Sequence, residues 1–468
     1  MIRENKIYDE ISVGDEANQK RVLTANDLYV FAHASGNLNP MHMPQPAENN
    51  PHEIVAPSMW IGALVSSVLG NVLPGAGTLY KSQSLTFINR AHVGDELTVT
   101  VRVTEKRPGN AVLLETRVTG RGGDPIAEGV AEVLAPLRKV RFDDATLPTL
   151  LVQRHQHFDR LIERVSHLEP LRTAIVAPEE EHALAGAMLA ASRGIIVPIL
   201  IGNADRIHKA AKAAHCDLKG AEVVEASMPH QAAAEAVRLV NGGLADALMK
   251  GHLHTDELMH EVVKRDGGIP RLRRLSHVFV MDVPGVEHLM LISDAAINIA
   301  PSLEDKVDIT QNAIDLAIAL GIQMPRVGVL SAVETVTPKI PSTLDAAILS
   351  KMAERGQIKG GIVDGPLAMD NAVDMEAART KGITSLVAGR AEILIAPNLE
   401  AGNMLAKELS FIAHAESAGI VLGARVPIIL TSRADGEKAR LASCAVAALY
   451  HAWTHGASGG AKTKEAAE

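Results

Sequence analysis

The chain has 468 residues, too many for one ordinary hydrophobic core, so two or three domains are expected. Hydrophobic residues make up 47% and charged residues 22%, the balance of a well-packed soluble protein, and 3% aromatics leave few rings for base stacking. A formal net charge of -9 argues against a general nucleic-acid binder, although a local basic patch could still hold an anionic ligand.

The opening "MIRENKIYDE" lacks the apolar core of a secretion signal. The longest apolar run, near "GIIVPILIG", is far short of a membrane span and contains Pro198, so it reads as a buried strand. Cys216 and Cys444 are isolated, which gives neither a disulfide framework nor a thiolate metal site. A reduced, cytoplasmic enzyme is the expectation, with neither nucleic acid nor membrane as partner.

Taken in chain order, "FAHASGNLNPMH" (Phe31 to His42) is too rich in Gly, Asn and Pro to remain one helix. Such a loop can bring Asn37 and His42 together on a small substrate. Next comes an apolar helix, "MWIGALVSSVLGNVL", with Trp60, Leu64, Ser67 and Val68 at helical spacing. "LPGAGT" reads as a turn, lacking the third glycine and the helix of a nucleotide loop. Four strands follow: "TLYKSQSLTFIN", "ELTVTVRVTEKR", "AVLLETRVTG" and "IAEGVAEVLAP", with "RPGN" and "RGGD" as turns. "LTVTVRV" alternates with period two, as a half-buried antiparallel strand should. One helix against a curled antiparallel sheet is an α+β arrangement.

The charged stretch "LRKVRFDDATLP" reads as a linker. From about residue 150 helices alternate with short apolar strands: "TAIVAP", "VPILIGN", "ADALMKG", "RVGVLSAVE", "GGIVDGP", "ILIAPN" and "VPIILTS". That grammar predicts a parallel sheet with both faces covered, and ligands at the carboxyl ends of its strands. The tail "HGASGGAKTKEAAE" is expected to fray.

In "VPIILTSRADGEKARLASCAVAAL" an apolar strand delivers Ser432 and Arg433 to the start of a helix, with Asp435 in its first turn. A helix N-terminus with an Arg fork suits a phosphate. The alternative for this stretch alone is a helix cap by Ser432 or Asp435 beside a solvated Arg.

"FAHASGNLNPMH", with the later "LTFINRAHVGDELTVTVRV", resembles the hydratase motif of the MaoC-like hotdog family over roughly residues 8 to 136. The resemblance implies an Asp and a His that hold a water and add it across a trans-2-enoyl-CoA. His42 matches the family histidine. Asn37 stands at the aspartate; it can orient water but cannot accept a proton at neutral pH. "VAPSMW" places Pro57 and Ser58 where relatives show a His-Gly pair. Both departures favour retained acyl-CoA binding and dimerisation over hydration, with Asn37 and His42 tying their own loop together as the bland alternative.

Further on, "LMKGHLHT", "RLSHVFVMDVPG", "DAAINIAPSLEDK", "LSAVETVTPKIPST", "SKMAERGQIKGGIVDGPLAMDNAV", "AEILIAPNLEAGNMLAKEL" and "LTSRAD" resemble, in order, the phosphate acetyl/butyryltransferase family over roughly residues 155 to 455. Phosphobutyryltransferase-like members look nearest. The whole chain resembles bifunctional enoyl-CoA hydratase/phosphate acetyltransferase chains. The resemblance implies interconversion of acyl-CoA and inorganic phosphate with acyl phosphate and CoA, with coenzyme A as co-substrate and no permanently bound cofactor. It assigns Ser432 and Arg433 to the reacting centre. The acetyltransferase branch carries its catalytic Asp where this chain has Ala439, which leaves Asp435 as the candidate base and Glu437 behind it.

The implied fold is an α+β hotdog domain (1–140), a linker (141–154) and a two-lobed α/β, isocitrate-dehydrogenase-like acyltransferase domain (155–456), ahead of a flexible tail (457–468). Lobe one would hold 155–275 and 425–456, and an inserted lobe two 276–424. Both domain types usually pair with copies of themselves, so a homo-oligomer is expected.

Lys250 and Thr255, at a strand end and a helix start, are candidates for phosphate or CoA binding, with capping and surface solvation as the alternative. Asn398, Glu400, Gly402 and Asn403 are expected to shape a loop at the cleft mouth, with capping before "MLAKELSFIAH" as the alternative. His252, His254 and His260 lie close in sequence, but no carboxylate pattern completes a zinc site, so no metal is expected. A competing reading of the second half is a nucleotide-dependent dehydrogenase, since fold alone does not fix function. No dinucleotide glycine fingerprint supports it.

Overall fold

The computed structural model describes residues 2–43, 54–143, 156–431 and 435–456. The chain forms two compact units, Met1–Val152 and Gln153–Glu468.

The first unit opens with β1 (Ile2–Glu4), β2 (Glu16–Val22) and α1 (Ala25–Ser35). Thr24 caps α1, accepting from the Asp27 N–H while the Asp27 carboxylate reaches back to the Thr24 N–H. Gly36, at φ 72°, ends the helix in the left-handed conformation that glycine adopts without strain. So the first residues of "FAHASGNLNPMH" finish a helix, and a short 3-10 turn, Pro40–His42, closes the stretch. Then come α2 (Ser58–Asn71), β3 (Leu79–Phe87), β4 (Glu96–Arg107), β5 (Ala111–Thr119), β6 (Pro125–Leu134) and β7 (Arg141–Asp143).

Five strands form one antiparallel sheet in the order β2-β4-β5-β6-β3. On β4 the alternation expected from "LTVTVRV" is observed: Leu97, Val99, Val101 and Val103 are buried. They share a core with Trp60, Ile61, Val65, Val68 and Leu69 of α2. The buried stripe of α2 is thus rotated from the expected one, with Leu64 and Ser67 only half-buried. Each large aliphatic side chain buried this way contributes about 1.5–3 kcal/mol. Arg141–Asp143, at the start of the expected linker, pairs antiparallel with β1. Residues 144–154 of that linker, and the tail 457–468, lie outside the described residues.

The second unit begins with α3 (Gln156–Val165), β8 (Leu171–Val176), α4 (Glu181–Ser192), β9 (Ile196–Gly202) and α5 (Ala204–Ala213). It continues with β10 (Glu222–Glu225), α6 (Pro229–Asn241), β11 (Ala247–Lys250), α7 (Thr255–Val263) and β12 (Arg271–Asp282). Next are β13 (Met290–Ser293), α8 (Leu303–Ala319), β14 (Arg326–Leu330), α9 (Pro341–Glu354) and β15 (Ile362–Leu367). The last elements are α10 (Met369–Val373), α11 (Met375–Thr380), β16 (Ile393–Ile395), α12 (Leu399–Phe411), β17 (Glu416–Ala424), β18 (Ile428–Ile429) and α13 (Glu437–His455).

Eleven strands form one sheet, ordered β10-β9-β8-β11-β18-β17-β12-β13-β16-β14-β15. Its two wings are parallel, as the buried apolar strands predict. The centre is not: β12 runs antiparallel to both β13 and β17, and β17 antiparallel to β18. Connection length explains the departure from an all-parallel sheet. The segments between β12 and β13, and between β17 and β18, are too short for a crossover, so each pair must reverse direction. Strands from both expected lobes share this sheet, which passes from β11 and β18 to β17 and β12 without interruption. Helices cover both faces, with α4, α8 and α13 on one side and α6, α7 and α12 on the other. No helix among the described residues is long and apolar enough to cross a membrane.

Candidate active site

In the second unit the antiparallel centre of the sheet opens into a cleft of about 470 Å³. Its floor is one face of β12 and β17, where period-two alternation turns His277 and Phe279 to the same side. Ser417 and Glu416 of β17, and Leu430 and Thr431 just past β18, extend that floor. Asn403, Lys407 and Phe411 of α12 form a wall, and Thr255 enters from the first residue of α7. Asp435, Gly436 and Lys438 close the cleft at the start of α13. These groups come from six elements spread over nearly two hundred residues of sequence.

His277 is almost wholly buried, and its ring meets Phe279 edge-on with centroids 4.4 Å apart. Burial pushes its pKa down, against a rise from the Asp294 carboxylate and from a hydrogen bond with the Leu430 backbone, so the ring is held neutral. Gly419 makes room for it: a Cβ there would stand 3.0 Å from His277 Nε2 and would collide with the Leu430 carbonyl oxygen. Asp294 is buried beside this floor and accepts from the N–H groups of Ala296 (2.8 Å), Ile297 (3.0 Å) and Asn298 (3.1 Å). Glu416 and Lys438 face each other at 3.7 Å. At the far end Arg440, buried in α13, donates from Nη1 to Thr431 Oγ1 at 2.7 Å.

Of the residues singled out from sequence, Thr255, Asn403 and Asp435 meet in this cleft. Asp435 is half-buried there, whereas Glu437 is exposed. Ser432 and Arg433 lie outside the described residues, between Thr431 and Asp435. Asn403 holds the α12 wall by donating to the Ala295 carbonyl at 3.0 Å. Asn398 caps α12, accepting from the Ala401 N–H at 2.9 Å, and is not part of the cleft lining. Gly402 acts through the backbone: a Cβ would run into the Asp294 carbonyl oxygen. Lys250 is buried at the end of β11, donating to the Leu253 carbonyl at 3.2 Å, so it is not a solvated surface residue. Among the described residues no cluster of His, Cys, Asp or Glu is arranged to hold a metal ion.

His277, Phe279, Lys407, Glu416 and Arg440 join the site without having been singled out. For His277 a signal existed, a lone polar ring inside the apolar strand "RLSHVFVMDVPG". For the others no local pattern marks them, since helix and strand geometry alone aims them.

In the first unit a separate pocket of about 250 Å³ lies between the start of α2 and the end of β3, lined by Val55, Ser58, Ile61, Phe87 and Arg90 among others. His42 Nδ1 lies 2.8 Å from the carbonyl of Val55, one of the lining residues. The Asn37 side-chain oxygen accepts from the Asn39 N–H at 3.2 Å, within its own loop. Neither residue is in the described lining of this pocket.

Residues 226–448 match the model of the family described as Phosphate acetyl/butaryl transferase, and residues 12–129 match the model of a FAS1-like dehydratase domain region. A phosphate acetyltransferase from Rhizobium meliloti is 59% identical over 295 residues, covering 63% of this chain and 93% of that protein. A phosphate butyryltransferase from Clostridium beijerinckii is 40% identical, covering 64% of this chain and 98% of the other. The crystal structure of a branched-chain phosphotransacylase from Enterococcus faecalis V583 is 29% identical with a TM-score of 0.53, covering 60% of this chain and 99% of that one. With a MaoC-like hotdog dehydratase region ahead of its second unit, the chain belongs to the phosphate acetyl/butyryltransferase family.

Proposed function

We propose that the second unit interconverts acyl-CoA and inorganic phosphate with acyl phosphate and CoA, and that the cleft on β12, β17 and β18 is where it does so. One observation carries the placement. Thr431 and Asp435 both line the cleft, and Ser432 and Arg433 stand between them in sequence. In the direction of thioester synthesis, Asp435 takes the proton of the CoA thiol, because only the thiolate is a good nucleophile. The sulfur attacks the acyl carbonyl carbon, the C–S bond forms, and the C–O bond to phosphate breaks with its electron pair leaving on phosphate. Arg433 offers that phosphate a bidentate, charge-assisted partner, Ser432 donates a hydroxyl, and the N-terminal N–H groups of α13 lie next in sequence. Asp435 is preferred to Glu437 as the base because it is the carboxylate of the two that lines the cleft. Thr255 and Asn403, and more remotely Lys250, are assigned to holding CoA.

Family membership does not favour the dehydrogenase alternative. For the first unit we propose acyl-CoA binding and self-association rather than hydration, since the Asn37 side-chain oxygen already serves its own loop. Both units would then bind CoA thioesters within a homo-oligomer.

The test is to mix acyl phosphate, CoA and protein, following thioester absorbance and phosphate release. Arg433→Ala should cut turnover by at least ten- to a hundredfold with the fold intact, the loss of a charged hydrogen bond of roughly 1.5–3 kcal/mol. Near-wild-type turnover in that variant would remove this site from the reaction.

A further inference from the structure

Helix α12 buries Gly402 and Ala406 on its inner side and leaves Glu400, Met404, Lys407, Glu408 and Phe411 exposed. At about 100° per residue these five positions fall within an arc of roughly 100°, so they form one face. Two of them are out of place on a solvated surface. Met404 is 64% exposed and Phe411 65%, and among the described residues no other helix exposes two large apolar side chains this far. Ile412, which follows the last turn, is 75% exposed and lengthens the patch. An exposed apolar patch set among charges marks an interaction site.

The charges on the face point the same way. Glu400, Lys407 and Glu408 make no ion pair among the described residues. Both the apolar and the charged groups find partners when a second copy of α12 lies antiparallel across a two-fold axis. Such a contact pairs residue i with j and, on the other side of the axis, j with i. With the axis midway between positions 407 and 408, Met404 stands opposite Phe411 of the copy, and Lys407 stands opposite Glu408 of the copy. Each pairing occurs twice. Sulfur against a ring and ammonium against a carboxylate are both attractive contacts. A parallel pairing in register would instead set each charge against its own kind.

We propose that the outer face of α12 is the surface on which a second copy of this chain docks, antiparallel, about an axis between Lys407 and Glu408. The inference rests on the homo-oligomer reading above and gives that assembly a place and a register. Lys407 and Phe411 also line the cleft, so the copy borders the mouth of the site proposed for acyl transfer.

The experiment places Met404→Cys and Phe411→Cys in the full chain, separately and together, and treats each protein with oxidised glutathione. Within one chain the two positions are seven residues apart on a helix, about 10.5 Å, beyond the roughly 7 Å that a disulfide spans. A bond between them is therefore intermolecular. The double variant should form disulfide-linked dimer at about ten times the yield of either single variant, because only it brings two cysteines together across the axis. In sedimentation at micromolar concentration, Lys407→Glu should weaken self-association roughly a hundredfold by opposing like charges, and adding Glu408→Lys should restore it. A double-variant yield no greater than that of the single variants, or an assembly mass that Lys407→Glu leaves unchanged, would overturn the proposal while the homo-oligomer reading stands. A wild-type chain that sediments as a monomer would sink both.

Discussion

The two units place polar groups in opposite ways. In the first, His42 and Asn37 bond within their own neighbourhood: the ring to the Val55 carbonyl and the carboxamide to the Asn39 N–H. In the second, Thr255, His277, Asn403, Thr431 and Asp435 arrive from separate elements and meet on one face of a sheet. A group satisfied by its own loop keeps that loop's shape and has little capacity left for a substrate. A group delivered by a rigid strand or helix end can be held ready for a ligand, because the scaffold rather than the group's own bonding fixes it. Chemistry in this chain is therefore expected first in the cleft of the second unit.

That contrast is most vulnerable at Asp435. Asp435→Asn should lower acyl transfer by on the order of 10²–10⁴-fold, as loss of a general base does, and lose less as pH rises and the thiol ionises unaided. Glu437→Gln should stay near wild type, since Glu437 is exposed. If Glu437→Gln is the damaging change, the base is misplaced.

A smaller effect, of opposite sign, is expected in the first unit. Wild-type protein should hydrate crotonyl-CoA weakly or not at all. Asn37→Asp should raise that rate by about 10²-fold, the lower end for restored acid–base chemistry. Loss of the enoyl thioester absorbance is the measurement, with His42→Ala in the Asn37→Asp background as control. Rapid hydration by the unmodified chain would show that the first unit keeps a working base. No gain would point to Pro57 and Ser58 having reshaped the pocket.

Gly419→Ala tests how rigid the cleft floor must be. The added methyl meets the Leu430 carbonyl oxygen, which cannot step aside as a flexible side chain could. A destabilisation of about 1–3 kcal/mol is expected from such overpacking, read from denaturant midpoints, together with reduced transfer. His277→Leu should change stability least, by within about 1 kcal/mol. His277 Nδ1 is buried without a hydrogen-bond partner among the described residues, so an apolar replacement removes a cost that offsets the lost packing and the lost hydrogen bond with the Leu430 backbone. Transfer should nonetheless fall, and an unchanged kcat would show that the ring matters only for packing.

Much of the fold is legible in the order of residues. Strand β4 occupies the stretch "ELTVTVRVTEKR", and period two is enough to say which of its residues face inward. The alternation of helix and apolar strand accounts for the two parallel wings of the large sheet. Helix α1 escapes such a reading because it is short and buries only Leu28 and Ala32, and the capping pair Thr24 and Asp27 marks where it starts. The antiparallel pairing of β12 with β17 escapes it as well, because the two strands are far apart in the chain and a buried strand looks the same in sequence whichever way it runs.

Residue order alone carries the family, through its succession of motifs, and the chemistry open to Ser432, Arg433, Asp435 and Asn37, because functional groups are properties of residue types. Local conformations that depend on neighbours a few positions away, such as the Asn398 cap on α12, belong with them. Long-range packing settles what remains. It separates Asp435 from Glu437, draws His277 and Arg440 to the site, and assigns Gly419 and Gly186 to clear their way. Those outcomes depend on which strands become neighbours and on approaches of a few ångströms between residues far apart in the chain, and no local pattern encodes such distances.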